Sequence, residues 1–193
     1  WGAGMGSYAI DRKVIPGNPS ADDALWDTVS TDLQRQYQQQ WHGGHIGIEC
    51  TSIDSGYATH AVYAFARRCA GQINVRAIKG DNNPKSPIKM TATSQDVNWR
   101  GQKWPNGIKL WGVGTQASED LLHGQLGLDK PGPGFIHVAN GLPQEWYAQL
   151  TGKKRVPVRS KTGIVDRWVR MRPRVEVRDC RRYAHHAAMC LGL

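Results

Sequence analysis

The chain has 193 residues, 39% of them hydrophobic, and carries 25 Lys and Arg against 16 Asp and Glu, for a formal net charge of +9 and a pI of about 9.6. That length suits one domain with a real core, and the charge favours a polyanionic partner. No run is long and apolar enough to span a membrane and none reads as a signal peptide, while the cysteines at 50, 69, 180 and 190 lack Cys-x-x-Cys spacing and read as reduced core thiols rather than disulfides or zinc ligands.

Residues 1–6 are glycine-rich, and the chain opens on Trp1 rather than Met, as a piece of a longer protein would. Residues 7–15 predict an extended strand, and Pro16-Gly17-Asn18-Pro19-Ser20 a turn. Ser20 suits an N-cap with Asp22 and Asp23 in the first helical turn. Leu25, Val29, Leu33 and then Gln36 and Tyr37 mark the inward stripe of a helix reaching about residue 40. A loop over 41–45 carries His42 and His45, which read as surface groups rather than metal ligands.

Residues 46–52 predict a buried strand with Ile46, Ile48, Cys50 and Ser52 on one face, ending at Asp54. Ser55-Gly56 turns the chain, and Ala61, Val62, Phe65, Ala66 and Cys69 give the next helix its stripe. Ligands of open α/β sheets sit outside the carboxyl ends of strands, which makes Asp54 a candidate for chemistry. An Asp that only caps the following helix fits the same position.

Residues 74–78 predict another strand, which ends in Lys79-Gly80 and sets a cation at a second strand terminus. Residues 81–104 are polar and turn-rich, a long loop or loose hairpin. A strand over 108–113 and a helix over 118–126 follow, the helix with Leu121, Leu122 and Leu126 inward. Pro131-Gly132-Pro133-Gly134 precedes a short strand over 135–138, and residues 144–150 predict a short helix. Residues 153–174 are the most basic part and alternate like a two-stranded ribbon turning at Thr162-Gly163. Lys153, Lys154, Arg155, Arg159 and Lys161 could there track a phosphate backbone, or simply face solvent. The last helix spans about 175–191, with Val177, Cys180, Ala184, Ala187 or Ala188, and Leu191 inward and His185 and His186 at the surface and core edge. Glu176 and Asp179 share a face near its start, where carboxylates suit the helix dipole.

Should Asp54 and Asp179 converge across the sheet, their hard oxygens would suit magnesium or manganese rather than zinc. Two such ions about 3.5–4 Å apart clamp the attacking and leaving oxygens of a phosphoryl displacement. A nearby lysine steadies the developing charge. The Gly-x-x-x-x-Gly-Lys-Ser/Thr loop is missing from the sequence, so no ATP hydrolysis is expected here.

The order of segments resembles the C-terminal nuclease domain of the large terminase subunit of tailed bacteriophages, the lambda-like GpA family. The resemblance rests on Trp1-Gly-Ala-Gly, the run from Tyr8 to Ile15, Gly17-Asn-Pro-Ser20, Ile53-Asp-Ser-Gly56, Ala61-Val-Tyr-Ala-Phe65 and Ala77-Ile-Lys-Gly80. Leu110-Trp-Gly-Val-Gly114, Pro131-Gly-Pro-Gly134, Gln149-Leu-Thr151 and the segment from Glu176 to Ala184 complete it. It implies a single domain over 1–193 with a ribonuclease H-like α/β fold: a central mixed sheet flanked by helices, a basic hairpin before the C-terminal helix, and the first strand, with a further active-site Asp, missing upstream of residue 1. A chain that starts after that strand is expected to cut feebly. The resemblance further implies a two-metal-ion endodeoxyribonuclease that cuts double-stranded DNA concatemers during packaging in the host bacterial cytoplasm, with the small terminase subunit and the portal or procapsid as partners. Asp54 and Asp179 match metal-ligating carboxylates for Mg2+ or Mn2+, Glu176 an acidic position of the same terminal motif, and Lys79 the lysine of the Ile-Lys-Gly segment. A noncatalytic DNA-binding prophage remnant and a resolvase- or integrase-type enzyme are the alternatives.

Overall fold

The computed structural model describes residues 1–39, 43–97, 102–160 and 163–193. In chain order, strand β1 (Ser7–Ala9) leads to helix α1 (Asp23–Leu33), strands β2 (Tyr37–Gln38), β3 (His45–Ile46) and β4 (Thr51–Asp54), and helix α2 (Thr59–Arg68). Strands β5 (Val75–Asp81), β6 (Thr93–Val97) and β7 (Lys103–Gly114) precede helix α3 (Thr115–Leu126). Then come β8 (Ile136–Val138), α4 (Gln144–Leu150), β9 (Lys153–Ser160), β10 (Gly163–Arg170) and α5 (Glu176–Cys190).

The central sheet is mixed, in the order β4-β5-β7-β6. Strands β4, β5 and β7 run parallel and β6 closes one edge antiparallel. Alternation along β4 separates the two faces. Ile53 and Ala77 join Trp26, Val62, Phe65, Cys69 and Ile108 in a core under α1 and α2. Ser52 and Asp54 face the other way, onto α5, through contacts with His186 and Tyr183. A second core joins α3, α4 and α5 to the β1–β8 pair through Leu122, Trp146, Leu150 and Val177. Gly114 ends β7 where a Cβ would lie 2.5 Å from the Pro87 carbonyl, so only glycine lets α3 begin there. Among the described residues no helix is long and apolar enough to cross a membrane.

The architecture agrees with a mixed α/β fold carrying a basic hairpin before the last helix, and several local expectations need correcting. The strand expected over 46–52 is split: only Thr51–Asp54 joins the central sheet. Ile46 pairs with Tyr37 in a separate ladder and is 46% exposed, because the chain breaks at Gly47, against which the Gln36 amide packs. The strand expected over 7–15 stops at Ala9, where its three-residue partner β8 ends. Asp22, not Ser20, caps α1: its Oδ1 accepts from the Leu25 amide at 3.1 Å. That helix ends at Leu33, and Tyr37 enters β2. β5 continues through Asp81, and the segment read as loop supplies β6. Leu121 is 36% exposed, since Ser118, Glu119, Leu122 and Gln125 form the inward face of α3.

The largest correction is the roll of α5. Cys180, Ala184 and Leu191 face solvent, while Arg178, Arg181, Arg182, His185 and His186 are buried with Val177, Ala187 and Ala188. An alanine stripe offers little apolar area to bury. The buried face instead satisfies its cations with carboxylates and aromatic rings: Arg181 lies over Trp1, its guanidinium carbon 4.7 Å from the ring centroid, and Arg178 lies over Trp168 at 5.0 Å. All four cysteines are free, with Cys69 buried and Cys180 exposed.

Candidate active site

Asp54 is the last residue of β4, and the turn after it is built by hydrogen bonds. The buried Ser55 donates to the Ile78 carbonyl through its amide (2.9 Å) and its hydroxyl (2.8 Å), which pins the strand end to β5. The Gly56 amide donates to Asp54 Oδ1 at 3.0 Å, and the Tyr183 hydroxyl donates to Oδ2 at 3.2 Å. Helix α2 starts later, with Ala58 at its N-cap and no side chain capping it, so Asp54 is not the cap of that helix. Its carboxylate is exposed, holds two neutral donors and enters no ion pair among the described residues. A carboxylate offers about four lone-pair positions, so room remains for a cation.

Asp179 stands one helical turn before Tyr183, on the side of α5 that also reaches the ribbon. Its Oδ1 accepts from Lys153 Nζ at 2.9 Å and from Arg182 at 2.8 Å. Its Oδ2 meets Arg170 alone among the described residues, at 3.7 Å. Burial, then the nearby Asp54 charge and then that of Asp179 hold the Tyr183 phenol well above its usual pKa, so it stays a proton donor. The Tyr183–Asp54 hydrogen bond thus ties the strand end to α5 one helical turn after Asp179.

Glu119 lies behind Asp179 and is fully buried. It accepts from Lys153 at 2.6 Å and from Arg178 at 2.5 Å, and pairs with Arg182 at 3.1 Å. Arg178 also donates to the Leu150 carbonyl at 2.9 Å. Lys153, Arg178 and Arg182 thus share two carboxylates, a net charge of +1. The set joins α3, α5 and the base of the β9–β10 ribbon. Sequence reading missed Glu119. The signal was there: it sits three residues before Leu122 and seven before Leu126, inside the apolar stripe of its helix.

The remaining candidates spread out. Lys79 is exposed at the end of β5, but alternation puts its Cβ on the α2 face with Ala77, whereas Asp54 and its neighbour Ile78 face α5. Glu176 is exposed in the first turn of α5 and makes no ion pair among the described residues. Lys153 is a correction as a DNA contact: its side chain is 10% exposed and committed to Glu119 and Asp179. Lys154 and Arg159 are exposed on the ribbon, and Arg155 is exposed beside Asp166 (3.3 Å) and Asp120 (3.7 Å). Lys161 lies outside the described residues.

Further along α5, His186 Nδ1 shares a 2.9 Å hydrogen bond with Ser52 Oγ. Burial first, then the charge of Arg76, pushes the His186 imidazole down to about 4. His185 falls to about 4 as well, through burial and then Arg181. Both are neutral near pH 7.

Hard carboxylate oxygens with open lone pairs can receive Mg2+ or Mn2+, and magnesium is commonly held by one or two carboxylates with water and substrate phosphate completing its shell. Asp54 meets that description through both oxygens and Asp179 through Oδ2, so the residues fit such an ion. Among the described residues, no group of three His, Cys, Asp or Glu is placed to hold one.

A mixed α/β domain with an acidic strand end beside a cationic ribbon is the class of protein these features define. Comparison sharpens it: the endonuclease domain family of the terminase large subunit gpA matches residues 1–193, and the chain belongs to that family. It is 24% identical over 193 residues to the "Terminase, large subunit" of Escherichia phage lambda, a match covering 95% of this chain and 28% of that protein. The chain thus spans about 28% of the length of that relative. No solved structure matches it.

Proposed function

We propose that this chain is a metal-dependent endonuclease that cuts double-stranded phage DNA concatemers during genome packaging, on a ribonuclease H-like fold. The observation that carries the reading is Asp54: an open carboxylate at the C-terminal end of a parallel strand, tied through Tyr183 to the helix bearing Asp179, in a chain matched end to end by a terminase endonuclease family. Asp54 and Asp179 would hold the ions, Mg2+ or Mn2+, two by family resemblance. When bound, they would supply a water-derived nucleophile and charge stabilisation at the phosphate.

The chain's own groups do the rest. Tyr183 donates to Asp54 and fixes the carboxylate's orientation. Lys153 and Arg182 hold Asp179 by Oδ1 and leave Oδ2 toward the site. Lys154, Arg155 and Arg159 grip the DNA backbone along the ribbon, whose base meets Asp179 through Arg170. Lys79 would be the lysine that family resemblance assigns to the scissile phosphate, although its Cβ leaves β5 on the face opposite Asp54. Glu176, the other acidic position of the terminal motif, would support the ion site from the first turn of α5. The small terminase subunit and the portal would engage the longer protein of which such a domain is part, in the bacterial cytoplasm.

Plasmid cleavage in manganese tests the reading. The chain is expected to nick and slowly linearise supercoiled DNA, and Asp54→Asn to lower that rate by roughly a hundredfold or more, the scale of losing one preorganised charge-stabilising group. Equal cleavage by the Asp54→Asn chain contradicts it.

A further inference from the structure

A second cationic surface lies away from Asp54. Where the end of α2, the turn after it, the start of β5 and the middle of β7 meet, a cleft of about 640 Å3 opens. Arg67, Arg76 and Lys109 line it, and no acidic residue does. A second cleft, of about 350 Å3, shares Lys109 and Trp111 with the first and adds Lys89, again with no acid. The two form one track of positive charge. It opens toward the N-terminal ends of the parallel strands, whereas Asp54 sits at a C-terminal end.

The chemistry of the track limits what it binds. Trp111 is no stacking platform for a base: the Arg76 guanidinium carbon lies over one side of it, 4.5 Å from the ring centroid, and the His186 ring stands edge-on at 6.2 Å. The exposed cations, Lys109 and Lys89, are free of carboxylate partners among the described residues; Lys89 donates once, to the Met189 carbonyl at 3.0 Å, and an ammonium has three protons to give. What remains on offer is spaced positive charge, which matches a repeating phosphodiester and reads no sequence.

We propose that this track binds the phosphodiester backbone of duplex DNA at a distance from the cut, a second contact that holds the duplex flanking the active site. The inference rests on the reading of the chain as an enzyme acting on duplex DNA. It deepens that reading by locating where the flanking duplex runs. Its energy comes from counterion release, so it weakens steeply with salt.

The test is binding in metal-free buffer, which separates it from cleavage. Affinity of the 193-residue chain for a long duplex is measured by fluorescence anisotropy across a potassium chloride series, for the native sequence and for Lys89→Gln/Lys109→Gln. Both lysines are exposed, and an unchanged melting temperature verifies the fold. The double variant is expected to lose roughly tenfold in affinity at moderate salt, and its salt slope to fall by about 1.8, or about 0.9 per phosphate contact. The ribbon variant Lys154→Gln/Arg159→Gln runs in parallel. A reduced slope for the ribbon variant alone overturns the second contact and leaves the nuclease reading standing. Unchanged duplex binding with weakened binding of pyrophosphate assigns the track to a small anion and also overturns the proposal. A native chain that binds no duplex at all removes both readings.

Discussion

Two acidic side chains contact α5, from β4 and from α3, and behave as opposites. At the end of β4, Asp54 is exposed, and among the described residues only the Gly56 amide and the Tyr183 hydroxyl donate to its carboxylate. Behind Asp179, Glu119 is fully buried and saturated by Lys153, Arg178 and Arg182. An open carboxylate contributes little to stability and keeps its capacity for a cation. A buried, fully paired one has spent that capacity on holding three elements in place. Asp179 belongs to both regions, with Oδ1 in the cationic set and Oδ2 nearly open.

The contrast can be broken by substitution. The largest stability effect is expected from Glu119→Ala, which leaves Lys153, Arg178 and Arg182 without their shared carboxylate. Removing one partner of a buried ion pair typically costs about 3–5 kcal/mol. Urea unfolding measures it, and a loss no larger than that of an exposed substitution would mean that the network holds nothing. Asp54→Asn should do the reverse, changing stability by no more than about 0.5 kcal/mol while removing cleavage.

A pH series sharpens the same division from the other end of the helix. His185 and His186 are held down to about 4 by burial, below the usual value of about 6.5, so the folded chain keeps them neutral. Between those values the unfolded chain binds more protons, and stability therefore rises with pH. The contribution is fully present above about 6.5 and is lost as pH falls toward 4. Thermal melting between pH 7 and 4 should show a decline that His186→Gln reduces; an identical decline in that variant would place the titration elsewhere. Tyr183→Phe is the smallest expected change. It deletes one hydrogen bond to Asp54, worth about 1 kcal/mol, and should weaken manganese binding a few fold without abolishing it.

Much of the frame was legible because it follows from period and turn chemistry. The ribbon, α2, α4 and the strand ending at Asp54 came from alternation, helical spacing and the Ser55-Gly56 turn. Failures came where an apolar stripe was assumed to point inward. In α5 the expected stripe holds at Val177, Ala187 and Ala188 but fails at Cys180, Ala184 and Leu191, because Arg178, Arg181 and Arg182, with His185, repeat at the same helical spacing and enter the core. Polar groups go inside when partners await them, and the partners here, Glu119, Ser7, Ser118, Trp1 and Trp168, come from distant parts of the chain. Lys153 was misjudged for the same reason: a lysine in a basic run reads as solvated until its acid is located. The split of the 46–52 strand depends on a pairing with Tyr37 that no local pattern announces.

The central claim is that the open carboxylate of Asp54, not the paired one of Glu119, receives the divalent ion. Manganese titration followed by electron paramagnetic resonance, without DNA, addresses it directly through the free-ion signal. The native chain and Glu119→Gln, if folded, should both take up manganese, and Asp54→Asn should leave it free in solution. Undiminished uptake by Asp54→Asn would contradict the account.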